Sequence, residues 1–236
     1  MEGKVLEMDV KVYLLKNINS NESNCFISEL IDSVHAKDEK YLKMHKDIGF
    51  KSYCFNNLYP MEKDYVYKEG NIYTFKIRSI DKDLVEYIQK NIKNAYTKAI
   101  KVLTATSKLV PKKHIDKVFS ITPIILKFED GYWRGSHSVG DVEDRIIGNL
   151  KKKYEQHFGI ELPKDIEIFN SISFKNKEPI PTKYKNIWLL GDKIEFKVSN
   201  NPIAQELLYF ALGVGLGEMN ARSFGFTNYI WTPKAS

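Results

Sequence analysis

The chain has 236 residues, 43% of them hydrophobic, enough for one large or two small domains. Lys and Arg number 36 against 30 acidic residues, a net charge of +6, which favours a polyanionic partner over an acidic small molecule. No apolar run reaches membrane-spanning length, no N-terminal signal is visible, and the two cysteines, Cys25 and Cys54, form neither a metal spacing nor a disulfide framework. A cytoplasmic, soluble protein with two small core cysteines is therefore expected. Fourteen Tyr, thirteen Phe and three Trp interleave with the lysines, a composition suited to stacking bases of single-stranded nucleic acid, although most rings are expected in the core.

In chain order, residues 8–15 alternate and then run apolar, which predicts a first strand. Phe26, Ile27, Leu30, Ile31 and Val34 fall at helical spacing over 21–34, with Ser20 or Asn21 as caps, and a charged linker, 35–47, follows. Strands are expected over 50–58 and 72–80, a helix over 81–96 on the stripe Leu84, Ile88, Ile92 and Ala95, and a fourth strand over 100–110. Pro111-Lys112-Lys113-His114 reads as a boundary. After it the pattern restarts: strand 118–128 with Pro123 at an edge or bulge, helix 141–158, strands 166–174 and 187–198 around a lysine-bearing loop 175–185, helix 201–212, and strand 224–231. The order strand, helix, strand, strand, helix, strand thus occurs twice. This predicts an α+β fold of tandem ferredoxin-like (RRM-like) domains, each βαββαβ, over 1–112 and 113–236.

The most informative stretch is Gly213-Val214-Gly215-Leu216-Gly217-Glu218-Met219-Asn220-Ala221-Arg222-Ser223-Phe224-Gly225-Phe226. Asn201 and Pro202 open the helix that runs into it, as N-cap and first helical residue. A P-loop needs a Gly-Lys-Ser/Thr ending that is missing, and a dinucleotide fingerprint needs strand, glycines, helix, the reverse of the order here. One glycine would suffice as a helix C-cap; Gly213, Gly215, Gly217 and Gly225 exceed that need. Bare backbone N–H groups in such a turn can cradle phosphates.

Gly215-Leu216-Gly217, six residues, then Phe224-Gly225-Phe226 resembles the C-terminal glycine-rich signature of the RAMP superfamily. More narrowly, it resembles the CRISPR-repeat endoribonucleases, the sixth CRISPR-associated protein family. Their loop usually ends Gly-aromatic-Gly, and Ser223 stands here for the first of those glycines. The stretch from Met44 to Leu58 is similar to the family's N-terminal segment, a His before the second strand followed by a Lys and an aromatic-rich strand; Phe55-Asn56 departs from the usual Phe-Ser or Tyr-Ser. Some members add a Tyr on the first helix, where this chain has Leu30, so no such role is carried over. The resemblance implies tandem ferredoxin-like domains and metal-independent cleavage of repeat RNA by its own 2′-hydroxyl. The implied products are a 5′-hydroxyl and a 2′,3′-cyclic phosphate.

That chemistry needs a group to take the 2′-hydroxyl proton, one to protonate the leaving 5′-oxygen, and one to offset charge on the phosphorane. A His serves either proton transfer near neutral pH, and a Lys beside the phosphate serves the third role. His45 is expected as general base or acid and Lys51 as electrostatic stabiliser; His35, at the end of the first helix, is a rival or the second of a His pair. Arg222 is the residue expected on a phosphate, because its fork matches phosphate oxygens. It is joined in RNA binding by Gly213, Gly215, Gly217, Asn220, Ser223 and Gly225, and by Lys151 and Lys183 as flanking charges. No metal-ligand spacing and no cofactor motif is present in the sequence. The partners expected are CRISPR repeat RNA and, beyond it, a CRISPR effector complex, with the protein a monomer or homodimer. Two alternatives remain open: a non-catalytic RNA-binding subunit of a CRISPR complex, and a generic tandem RRM-like RNA binder.

Overall fold

The computed structural model describes residues 3–47 and 49–233, and of His45 the backbone alone. In chain order the elements are β1 (Leu6–Leu14), β2 (Ile18–Asn19), α1 (Ser23–His35), α2 (Glu39–Lys46), β3 (Tyr53–Phe55), β4 (Val66–Tyr67), β5 (Ile72–Ser79), α3 (Lys82–Ile92) and β6 (Ile100–Leu109). They continue with β7 (Ile115–Ser120), α4 (Val139–Phe158), β8 (Phe169–Phe174), β9 (Ile180–Tyr184), β10 (Ile187–Gly191), β11 (Ile194–Val198), α5 (Pro202–Val214) and β12 (Thr227–Trp231). Among the described residues, no helix is long and apolar enough to cross a membrane.

Two four-stranded antiparallel sheets form, ordered β3-β5-β1-β6 and β12-β7-β11-β8. Numbering the main strands of each half one to four, both sheets read 4-1-3-2. Each half is a ferredoxin-like unit, and the fold is the expected tandem of two. Alternation builds β1, where Met8, Val10, Val12 and Leu14 point into the first core with α1 and α3. In the second half Val142, Ile146, Leu150 and Tyr154 turn one face of α4 onto a separate core shared with α5. Local signals fix the helix ends. Asp81, Ser138 and Asn201 accept from the backbone N–H groups of Leu84, Asp141 and Ala204, and Gly159 closes α4 in the left-handed conformation.

Several expected boundaries move. The linker 35–47 contains α2, capped by Asp38. Neither Ser20 nor Asn21 caps α1; its N-cap is Glu22. The strand expected over 50–58 is regular only at β3; beyond it the Asn56 N–H still donates to the Lys76 carbonyl, but the Lys76 N–H turns to the Asn56 side-chain oxygen. The strand expected over 118–128 ends at Ser120, short of Pro123, and Ile124 and Ile125 make only isolated bridges to Asp192 and Glu218. Residues 180–184, expected in a loop, are β9, paired with β10 in a hairpin of its own, and 187–198 is two strands broken at Asp192. Asp192 leaves the ladder because its buried carboxylate is claimed by Tyr132, Trp133, Arg134 and Asn176. Cys54 is a core residue as expected, whereas Cys25 is only half-buried.

The halves are joined through a buried cation. Arg78, 2% exposed, donates to Glu7 in β1 at 2.7 Å and crosses to the Thr227 carbonyl at 2.5 Å and the Asn228 side chain at 3.0 Å. Gly213, inside α5, brings that helix onto the first half: a Cβ there would lie 2.7 Å from Ile80 and 3.3 Å from Val5. Burial alone would raise the Glu7 carboxyl, but Arg78 and Lys76 overcome it and hold it at about 2, against 4.5 for an ordinary Glu. The folded carboxyl is thus the stronger acid. Its stabilisation is complete above about pH 4.5 and is lost as pH falls toward about 2. Arg78→Met should therefore cost about 3–5 kcal/mol at neutral pH by denaturant unfolding. The cost should shrink on acidification, since a protonated Glu7 no longer needs the guanidinium.

Candidate active site

Between α5 and β12 the chain makes a compact turn, with five residues at positive φ: Gly215, Gly217, Met219, Ser223 and Gly225. The expectation of a bare-backbone cradle is corrected here, since the glycines face inward and are buried. The N–H groups of Gly215, Leu216, Glu218, Ser223 and Gly225 donate to the carbonyls of Ala211, Gly225, Ile125, Asn220 and Pro123. Glycine is required by close approach. A Cβ on Gly225 would stand 1.8 Å from the Leu216 carbonyl oxygen, and one on Gly217 2.6 Å from that of Ile125. Gly213 belongs to the helix and not to the turn.

Asn220 is the centre of the turn. Its buried side-chain amide donates to the carbonyls of Leu216 at 2.8 Å and Phe224 at 2.9 Å, and its Oδ1 accepts from Lys153 Nζ at 2.6 Å. Lys153, on α4, also donates to the carbonyls of Gly215 at 3.2 Å and Gly217 at 2.6 Å. The outer side of the turn, 218–222, is what remains for a ligand. Ser223, at φ 70°, occupies a conformation that favours glycine, and its hydroxyl donates to Asn57 of the first half at 2.7 Å.

That outer side forms one wall of a cleft of about 520 Å³. Glu218, Met219, Ala221 and Arg222 come from the turn, Asn149, Lys152 and Gln156 from α4, and Asp47, Phe50, Lys51 and Tyr53 from the first half. The structure thus brings Lys51 and Arg222 together across the junction of the halves. Lys51 donates to the carbonyls of Met44 and Asp47, the latter at 2.6 Å, at the C-terminal end of α2, where a cation suits the helix dipole. Burial lowers its pKa, Asp47 offsets this in part, and the nearby Arg222 lowers it further. Arg222 pairs with Asp32 of α1 at 2.9 Å; burial opposes its charge, and Asp32 outweighs the burial and raises its pKa. The cleft is therefore rich in cations, two of them already oriented.

Other expected residues lie elsewhere. His45 is in the last turn of α2, and its side chain lies outside the described residues. His35 is fully buried, stacked on Tyr41 with centroids 6.4 Å apart and edge-on to Tyr53 at 5.6 Å, and it does not line the cleft. Lys151 holds the carbonyls of Pro163 and Lys164, and Lys183 pairs with Glu22 at 2.5 Å; neither lines the cleft. The cleft lysines of α4 are Lys152 and Lys153 instead. Lys153 could have been found from phase, because it follows Leu150 by three and so shares the buried face of Val142 and Ile146. Among the described residues, no group of three or more His, Cys, Asp or Glu is placed to hold a metal ion. A larger concavity, about 680 Å³, lies beyond Asn57 and is lined by Tyr59, Tyr65, Lys76 and Lys193 among others.

The family model for the CRISPR associated protein Cas6, C-terminal, matches residues 108–229, just over half of the chain. The chain belongs to the Cas6 family. The match covers α4, α5 and the whole glycine turn. No curated protein matches the chain. Among solved structures, one described as an RAMP protein binding different RNA substrates superposes with a TM-score of 0.74 at 19% identity, covering 95% of this chain and 99% of that one. A CRISPR associated protein Cas6 gives 0.67 at 20%, covering 96% and 99%. A Cas6-related protein from Pyrococcus furiosus gives 0.68 at 18%, covering 96% and 98%. At such identities these likenesses speak for the fold alone.

The packing of the Cas6 turn sets a direct test. Gly225→Ala should cost about 2–3 kcal/mol in thermal or denaturant unfolding, through the clash with Leu216 and the positive φ. Gly148→Ala, at an exposed α4 position with nothing within 4 Å of the added Cβ, should stabilise by up to about 1 kcal/mol.

Proposed function

We propose that the protein is a metal-independent endoribonuclease that cuts precursor CRISPR RNA within its repeats, with 1–112 and 113–236 as its two domains. The observation that carries this reading is the meeting, in one cleft, of Lys51 from the first half with Arg222 and the glycine turn of the second. Family membership supports the substrate class, as do related structures described as Cas6 product and substrate mimic complexes.

In the mechanism, a base removes the proton of the 2′-hydroxyl upstream of the cut. The 2′-oxygen attacks the adjacent phosphorus, a phosphorane forms, and the bond from phosphorus to the 5′-oxygen breaks as that oxygen takes a proton. The products are a 2′,3′-cyclic phosphate and a 5′-hydroxyl. His45, at the end of α2, serves one of the proton transfers. Lys51, whose pKa is lowered within the cleft, faces the developing charge, and Arg222 grips a phosphate oxygen. The larger concavity, with exposed Tyr59 and Tyr65 beside Lys76 and Lys193, has the ring-and-cation chemistry to carry unpaired nucleotides.

Two observations favour a second reading, a subunit that binds RNA without cutting it. The Lys51 ammonium is already engaged by two carbonyls, and α1 carries the buried Leu30 where some relatives have a Tyr. Cleavage assays separate the two. His45→Ala should abolish cutting of the protein's own repeat RNA and leave affinity nearly intact, and Lys51→Ala should slow it about 10²–10³-fold. Cutting should persist in EDTA and vanish with a 2′-deoxy nucleotide upstream of the bond. Tight binding of uncut RNA by the wild type would establish the second reading.

A further inference from the structure

We propose that Lys153 is a positioning residue whose ammonium sets the path of the 215–225 turn and so aims residues 219–222 into the cleft. The inference rests on the reading of that cleft as the RNA site. An ammonium has three N–H donors, and Lys153 has three acceptors: the carbonyls of Gly215 and Gly217 and the Oδ1 of Asn220. None of them is a carboxylate. The residue is 8% exposed, so a lysine is held in the interior by carbonyl oxygens alone. That is a costly choice if stability were its purpose, since an apolar side chain of similar length would avoid the desolvation. What the ammonium supplies is convergence. It draws two backbone carbonyls and the Asn220 side chain to one point, and this leaves the Asn220 amide nitrogen for Leu216 and Phe224.

Burial pushes Lys153 from 10.5 down to about 7, with Cys54 and Glu218 only partly opposing it. Of the titratable and charged groups around it, Cys54 of β3 and Glu218 of the turn act on it directly, and Asp47, Lys51, Tyr53, Lys127, Lys152 and Arg222 line the same cleft. Deprotonation removes one of the three donors. Two consequences have opposite signs. Between about pH 7 and 10.5 the unfolded chain keeps a proton that the folded protein has lost, so this group makes global stability rise with pH. Over the same range the turn loses a hydrogen bond, and the grip on RNA weakens. A lysine that only filled the interior would shift stability in the same way and leave the affinity unchanged.

The test has an RNA-free arm and an RNA arm. In the free wild type, the amide resonances of Gly217, Asn220 and Gly225 should share an inflection near pH 7 that is missing in Lys153→Met. With repeat RNA carrying a 2′-deoxy nucleotide at the cut, wild-type affinity should fall about 10-fold between about pH 6 and about pH 8.5 beyond any change seen in Lys153→Met, which should bind weakly throughout. Turn resonances without an inflection in the wild type, or Lys153→Met binding as tightly as wild type at about pH 6, would overturn the proposal. If Lys153→Met does not fold, the wild-type resonance titration decides alone. If the wild type binds no repeat RNA at any pH, the cleft reading fails while the RNA-free arm still judges the role of Lys153.

Discussion

The turn between α5 and β12 is folded around a single side chain, Asn220, and the wall it presents to the cleft follows from that. Four hydrogen-bonding partners are near what one buried amide can satisfy, and here three are met, by Leu216, Phe224 and Lys153. With these fixed, the glycines must sit inside the turn, where any Cβ would collide with a carbonyl or with Asn220 itself. The signature is therefore a packing requirement in the first place. It leaves Met219, Ala221 and Arg222 turned toward the cleft, because the inner side is full.

The same turn is pinned to the other half of the chain. Arg222 reaches Asp32 and Ser223 reaches Asn57, while Arg78 ties the first sheet to β12 immediately after the turn. Each partner pair lies more than 140 residues apart in sequence. A wall from the second half thus faces Lys51, whose ammonium caps the end of α2, in a set geometry. Preorganised cations of this kind are the usual means of stabilising charge that develops on a phosphate, since little reorganisation is needed at the moment of reaction.

Much of this was legible in the sequence. Alternation in β1 and β5 and the stripes of α3 and α4 are strong enough to give the βαββαβ order twice, and Asn201-Pro202 marks the start of α5. The clustering of glycines located the turn. The sequence could not say which way those glycines face, because both a phosphate cradle and tight internal packing select for a missing side chain. Strand β9 was hidden because Pro181 and Lys183 interrupt it and Thr182 alone of its residues is buried, and its hairpin with β10 pairs outside the main sheets. Lys153 was hidden by its neighbours. In Lys151-Lys152-Lys153 only the helical phase distinguishes the buried member from the two solvated ones, and charge argued against burial. The partners of Arg222 and Lys183 lie in α1 and just before it, contacts that no local pattern encodes.

In the function proposed, one stretch of RNA backbone lies between the end of α2 and the glycine turn. The most direct measurement is photo-crosslinking of the protein's own repeat RNA, with a photoreactive nucleotide on either side of the scissile bond, followed by identification of the linked peptides. Crosslinks to both 44–53 and 215–225 are expected from that pair of positions. Crosslinks confined to one half of the chain, or to surfaces remote from the cleft, would contradict it.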